Sequence, residues 1–130
     1  MRALLDTQAL VTLAIDGIEG VPPKVRRLLR NADTELALSA VSIAEIAIKT
    51  SIGKPESSSE TVAGAISDLK ITVLPFSGRH AHRMFGLPLH HREPFDRMII
   101  AVALADSLPL VGRDSRFPLY AAQSLTIIWA

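Results

Sequence analysis

Four acidic residues, Asp6, Glu45, Asp96 and Asp114, each stand where an apolar run meets a turn or a helix start. Asp6 closes "ALLD" (3–6), Glu45 ends "SIAE" (42–45), Asp96 lies just ahead of the apolar "MIIAVALA", and Asp114 closes "LPLVGRD". Each has a plain structural duty available. Asp6 suits an N-cap and Asp114 the cap of a short helix beginning "SRF". Glu45 would complete a Ser-x-x-Glu capping box with Ser42, and Asp96 would offset a helix dipole behind Pro94 at N1. Their joint occurrence calls for more. Two carboxylates ~4 Å apart repel by about 4 kcal/mol at an effective dielectric of 20, so four converging acids need a cation. A hard divalent ion such as Mg²⁺ or Mn²⁺ prefers oxygen ligands, keeps several waters, and bridges carboxylates to phosphate. The chemistry these acids would support is metal-dependent cleavage of a phosphodiester.

Convergence requires a fold that brings distant segments to one edge. Short apolar runs at 3–6, 35–39, 71–75, within "LPLVGRD" and within "SLTIIWA" read as strands. Helical patterns fill the gaps at about 7–16, 22–31, 42–51, 59–69, 77–85 and 94–106, with a short helix or turn before the fifth strand. Apolar strands without alternation, separated by helices, predict an α/β fold with a parallel sheet covered on both faces. Ligands of such sheets gather at the carboxyl ends of the strands, near a switch in strand order. All four acids are predicted to fall at that edge.

The bulk composition narrows the classes. A chain of 130 residues fits one domain, 1–130, burying roughly 65–70% of its unfolded surface. It is 48% hydrophobic with a mean hydropathy of +0.30, a surplus that predicts apolar surface kept for a partner or a second copy. Fourteen basic and 13 acidic residues leave a net charge of +1, so any attraction to nucleic acid must be local. Without cysteine there can be no disulfide, thiolate metal site or Cys nucleophile, which suits a reducing compartment. The N-terminal apolar stretch is interrupted by Asp6 and lacks a cleavage pattern, and "MIIAVALADSLPLV" is too short and broken to span a bilayer. A cytoplasmic location, away from the membrane, is the expectation.

The ordered blocks "LLDTQAL", "LSAVSIAEIAIKTSIGK", "LPLHHREPFDRMIIAVAL" and "LPLVGRD" resemble those of PIN-domain ribonucleases, specifically the VapC-type toxins of type II toxin–antitoxin pairs. The third block carries most of the resemblance. It implies a three-layer PIN-like fold, with a central parallel five-stranded sheet flanked by helices. It also implies an acidic pocket for Mg²⁺ or Mn²⁺, to which Asp6, Glu45, Asp96 and Asp114 correspond. The implied partners are RNA as substrate, a small antitoxin protein that covers the active site, and a second copy of the chain. Departures from the pattern are Gly112 where Thr or Ser is usual, Gln8 where His or another polar residue is common, Ala44 where Trp is frequent, and Glu93 for Asp. Gly112 removes a hydroxyl near Asp114 and makes that acid the least secure of the four.

The implied reaction is hydrolysis of RNA by water that the ion activates, leaving 5′-phosphate and 3′-hydroxyl ends. Asp6, Asp96 and Asp114 would hold the principal ion, and Glu45 would orient the water or help hold a second one. Arg97 suits a substrate phosphate or an antitoxin carboxylate, Arg92 is a further substrate contact, and the Thr7 hydroxyl could bond near the metal. The four histidines, with Arg79, Arg83, Arg92 and Arg97, all fall within 79–97, a band that steers RNA or is simply a solvated loop. Two rivals remain: a metal-independent ribonuclease using His82, His90 or His91 as acid and base, and a PIN-like scaffold that binds RNA or protein without cutting. A phosphoryl-accepting receiver domain fails, because Asp6 lacks an adjacent acid and no Lys follows Lys70.

Overall fold

The computed structural model describes residues 1–129. Ala130, the last residue of the expected fifth strand, lies outside them. Five strands, β1 (Arg2–Leu5), β2 (Glu35–Ser39), β3 (Thr72–Leu74), β4 (Leu110–Val111) and β5 (Ile127–Ile128), form one sheet of order β3-β2-β1-β4-β5. Every pairing is parallel. The chain winds outward from β1 through β2 to β3, then returns to place β4 on the other side of β1. The order therefore reverses between β1 and β4, and a crevice opens there beyond their carboxyl ends.

Six α-helices connect the strands: α1 (Thr7–Asp16), α2 (Pro23–Arg30), α3 (Ala40–Ser51), α4 (Ser59–Asp68), α5 (Gly78–Arg83) and α6 (Pro94–Ala105). A 3₁₀ segment, Phe117–Gln123, bridges β4 and β5. Because side chains alternate across a strand, β1 feeds two cores. Ala3 and Leu5 join Leu36, Leu38 and Val111 beneath α1, α2 and α4. Leu4 joins Ala37 and Leu110 against α6, Phe117 and Tyr120. These buried leucines each contribute roughly 1.5–3 kcal/mol. In α6, Ile99 through Ala103 are all buried, the mark of a helix enclosed on every side. Its far end is tied to α5, where His80 Nε2 meets Asp106 Oδ2 at 2.9 Å and Arg79 pairs with the same carboxylate.

The three-layer α/β expectation holds, with local differences. Strand β1 stops at Leu5, so Asp6 sits outside it as the N-cap of α1. Helix α3 starts at Ala40, two residues earlier than expected, because Ser39 ends β2 and also caps the helix by accepting from Val41 N. The predicted capping box of Ser42 with Glu45 does not form. Ser42 is inside the first turn, Glu45 is in the second, and both are buried.

Candidate active site

The crevice at the sheet's reversal is a cleft of about 490 Å³ lined by Asp6, Thr7, Gln8, Glu45, Lys49, Asp96, Arg113, Asp114 and Ser115. All four acids singled out above, with Thr7, therefore come together. Each arrives from a different element. Asp6 caps α1, its Oδ1 accepting from Ala9 N at 2.6 Å. Glu45 reaches in from α3, and Asp96 occupies the first turn of α6. Asp114 follows β4 and folds a turn by accepting from Arg116 N at 2.8 Å.

Helix α6 starts where it does because Glu93 N-caps it, accepting from Asp96 N at 2.8 Å, and Pro94 supplies the fixed φ of the first turn. That start aims Asp96 across the cleft. Glu45 is held at both oxygens: Thr7 Oγ1 donates to Oε1 at 2.7 Å, and Lys49 Nζ donates to Oε2 at the same distance. Thr7 also bonds Ser42 Oγ at 2.9 Å, so its hydroxyl serves Glu45 and the α1–α3 contact. Lys49, one helical turn beyond Glu45, reaches Glu56 as well, at 2.9 Å.

Gly112 has a steric role. A Cβ built there would lie 2.6 Å from Asp6 Cγ, and closer still to Oδ2. Asp6 is 4% exposed and its carboxylate fills the space that any larger residue at 112 would take.

The electrostatics follow from this crowding. Burial, reinforced by Asp96, Glu45 and Asp114, pushes the Asp6 carboxyl up to about 7, although the Ala9 amide acts the other way. Burial, with Glu93, Glu45 and Asp114, likewise raises Asp96 to about 7 against the opposing effect of His91. Asp114 is also penalised by burial, but the Arg116 amide and His91 outweigh that and hold its carboxyl below the ordinary carboxylate range. Without a cation, the cleft gathers more negative charge than its surroundings neutralise. A hard divalent ion with oxygen preference fits this donor set.

The remaining expectations fare differently. Arg97 points inward, its Nη1 donating to the carbonyls of Pro88 and His91, each at 3.1 Å, so it braces the loop before α6. Arg92 is exposed and does not line the cleft. The basic band is not a continuous cationic face. His80 and Arg79 pair with Asp106, Arg97 is turned in, and His91 is buried. His82 packs at a tilt against Phe85 and His90 edge-to-face against Tyr120, and neither lines the cleft. The residue that sequence reasoning underused is His91, 2% exposed, whose Nε2 lies 3.0 Å from Asp96 Oδ2 and 2.9 Å from Asp114 Oδ2.

A PIN domain family model matches residues 3–123. The chain belongs to the PIN domain family. No curated protein matches it significantly, but solved structures do. VapBC2 from Rickettsia felis, bound to a promoter DNA fragment, aligns with a TM-score of 0.69 at 18% identity, covering 100% of both chains. VapBC-5 from Mycobacterium tuberculosis, a toxin–antitoxin family member, aligns at 0.62 and 21%, covering 99% of this chain and 98% of that one. DNA-bound VapBC from Salmonella typhimurium aligns at 0.64 and 20%, covering 98% and 97%. At these identities the likeness is one of fold. The acidic cleft of this PIN domain lies where the strand order of the shared fold reverses.

Proposed function

We propose that this PIN domain is a divalent-metal-dependent endoribonuclease, acting as the toxin of a toxin–antitoxin pair. The observation that carries the reading is the convergence of Asp6, Glu45, Asp96 and Asp114 in one cleft, with Asp6 and Asp96 both pushed up to about 7. Asp6, Asp96 and Asp114 would hold Mg²⁺ or Mn²⁺, and Glu45 would orient the attacking water. A bound ion would lower the pKa of water and offset charge on the phosphoryl oxygens. Glu45 is prepared for its duty because Thr7 and Lys49 fix its carboxylate. Arg113, which lines the cleft, and Arg92, exposed beyond it, are among the cations that could meet substrate phosphates.

An antitoxin partner is supported by the VapBC complexes among the structural relatives. Surface is available to it, and to a second copy of the chain, at the exposed Ile48, Ile52, Phe85 and Leu89. Among the described residues no helix is long and apolar enough to cross a membrane. The histidine-only route is disfavoured because His82 and His90 stand outside the cleft, which leaves His91, buried against Asp96 and Asp114, without a second imidazole to share acid and base duty.

Incubating the purified chain with mixed cellular RNA tests the reading. Cleavage is expected with Mg²⁺ or Mn²⁺, with 5′-phosphate ends, and is expected to vanish in EDTA and return on adding metal. Cleavage that survives chelation would favour histidine chemistry. None under any metal would favour a non-catalytic scaffold.

A further inference from the structure

The loop 87–91 places one buried imidazole behind two carboxylates of the acidic cleft, and its placement is over-determined. The His91 backbone N–H donates to Tyr120 Oη at 3.0 Å, and Tyr120 Oη in turn donates to the Pro88 carbonyl at 2.9 Å. Arg97 holds the His91 carbonyl from the other side. The ring lies 6.1 Å, centroid to centroid, from that of Phe117. On the ring itself, Nδ1 accepts from the backbone N–H of Glu93 at 3.2 Å. A nitrogen that accepts carries no proton, so the proton of the neutral ring resides on Nε2. That N–H faces Asp96 Oδ2 and Asp114 Oδ2 together.

Resting on the metal-dependent reading above, we propose that His91 is a positioning residue: its Nε2–H is shared between Asp96 and Asp114 and sets the spacing at which the two carboxylates meet the cation. Asp96 comes from α6 and Asp114 from the turn after β4, and neither segment fixes the other's distance. A donor clamped between them does. It also screens their mutual repulsion before any ion arrives. Because Nε2 carries hydrogen, it has no lone pair to offer, so His91 orients the ligands and does not join them, although its nitrogen and the two carboxylates lie within 4.8 Å of one another. Partners of this kind change metal affinity ten- to hundredfold when removed.

The test compares wild type with His91→Phe, which keeps an aromatic ring against Phe117 but has no donor, and His91→Gln, whose amide restores one. Mn²⁺ affinity measured by calorimetry should weaken about ten- to hundredfold in the Phe variant and recover substantially in the Gln variant. At saturating Mn²⁺, KM for RNA should stay unchanged. Equal Mn²⁺ affinity in His91→Phe and wild type would overturn the proposal, as would ¹⁴N coupling from direct imidazole ligation in pulsed EPR of the Mn²⁺ protein. A wild type that binds no Mn²⁺ contradicts the parent reading instead. Nitrogen NMR of the metal-free wild type then judges His91 separately: an Nε2–H tautomer is required, and an Nδ1–H tautomer overturns the assignment.

Discussion

Asp96→Asn is expected to lose RNA cleavage by more than about a hundredfold, beyond what loss of an outer partner costs, while the domain stays folded. Asparagine keeps the shape and the backbone N–H that Glu93 caps, so helix α6 still starts at Pro94. What it removes is a charge that the metal-free fold holds at a cost. Burial first, then Glu93, Glu45 and Asp114, raise the Asp96 carboxyl to about 7. A carboxyl raised above its unfolded value favours folding in its protonated form. That contribution is complete below about pH 4 and is lost as pH climbs through about 7. In the metal-free state at about pH 8, Asp96→Asn should therefore melt several degrees above wild type, and the gap should close towards about pH 4. RNA cleavage assays with pH-resolved melting in EDTA check both halves. A variant that is inactive because it unfolds, or folded and fully active, would each contradict the role given to Asp96.

Gly112→Ala is expected to damage the site without touching an acid. The added Cβ would collide with the Asp6 carboxylate, 2.6 Å from its Cγ. Asp6 cannot withdraw without cost, since Oδ1 is bonded to Ala9 N at 2.6 Å and the residue is buried. Overpacking of this kind costs about 1–3 kcal/mol. Moving a reacting group by an ångström can lower turnover about a hundredfold. Urea denaturation should show the first loss and RNA cleavage the second. Absence of a hydroxyl at position 112, which from sequence weakened the claim of Asp114, thus has a counterpart: the missing side chain makes room for Asp6. A fully stable, fully active Gly112→Ala would remove this explanation.

Asp6, Asp96 and Asp114 were legible in the sequence because each marks a boundary between an apolar run and a polar one, and boundaries of a parallel sheet share an edge, whereas Glu45 reaches that edge from the second turn of α3. Their helix contexts were less legible. "LSAVSIAE" offers two serines as caps, and Ser39 prevails over Ser42 because it already ends the strand paired to β1. Strands β4 and β5 shrink to two residues each, since pairing, not the apolar run, decides their length. His91 could not be told from His90 by type or position. The two differ because Tyr120 and Arg97, distant in sequence or turned inward, bind the backbone of His91, leaving His90 exposed. The same inward turn takes Arg97 away from the cleft, a choice that composition does not reveal.

The central claim is that these carboxylates form a single divalent-cation site. Calorimetric titration of Mn²⁺ into wild type and Asp6→Asn near neutral pH, repeated in buffers of different ionisation enthalpy, tests it most directly. Because burial and the neighbouring acids push the Asp6 and Asp96 carboxyls up to about 7, binding should be saturable, should release protons, and should be greatly weakened in Asp6→Asn. Absence of saturable binding to wild type, or equal binding by Asp6→Asn, would contradict the account.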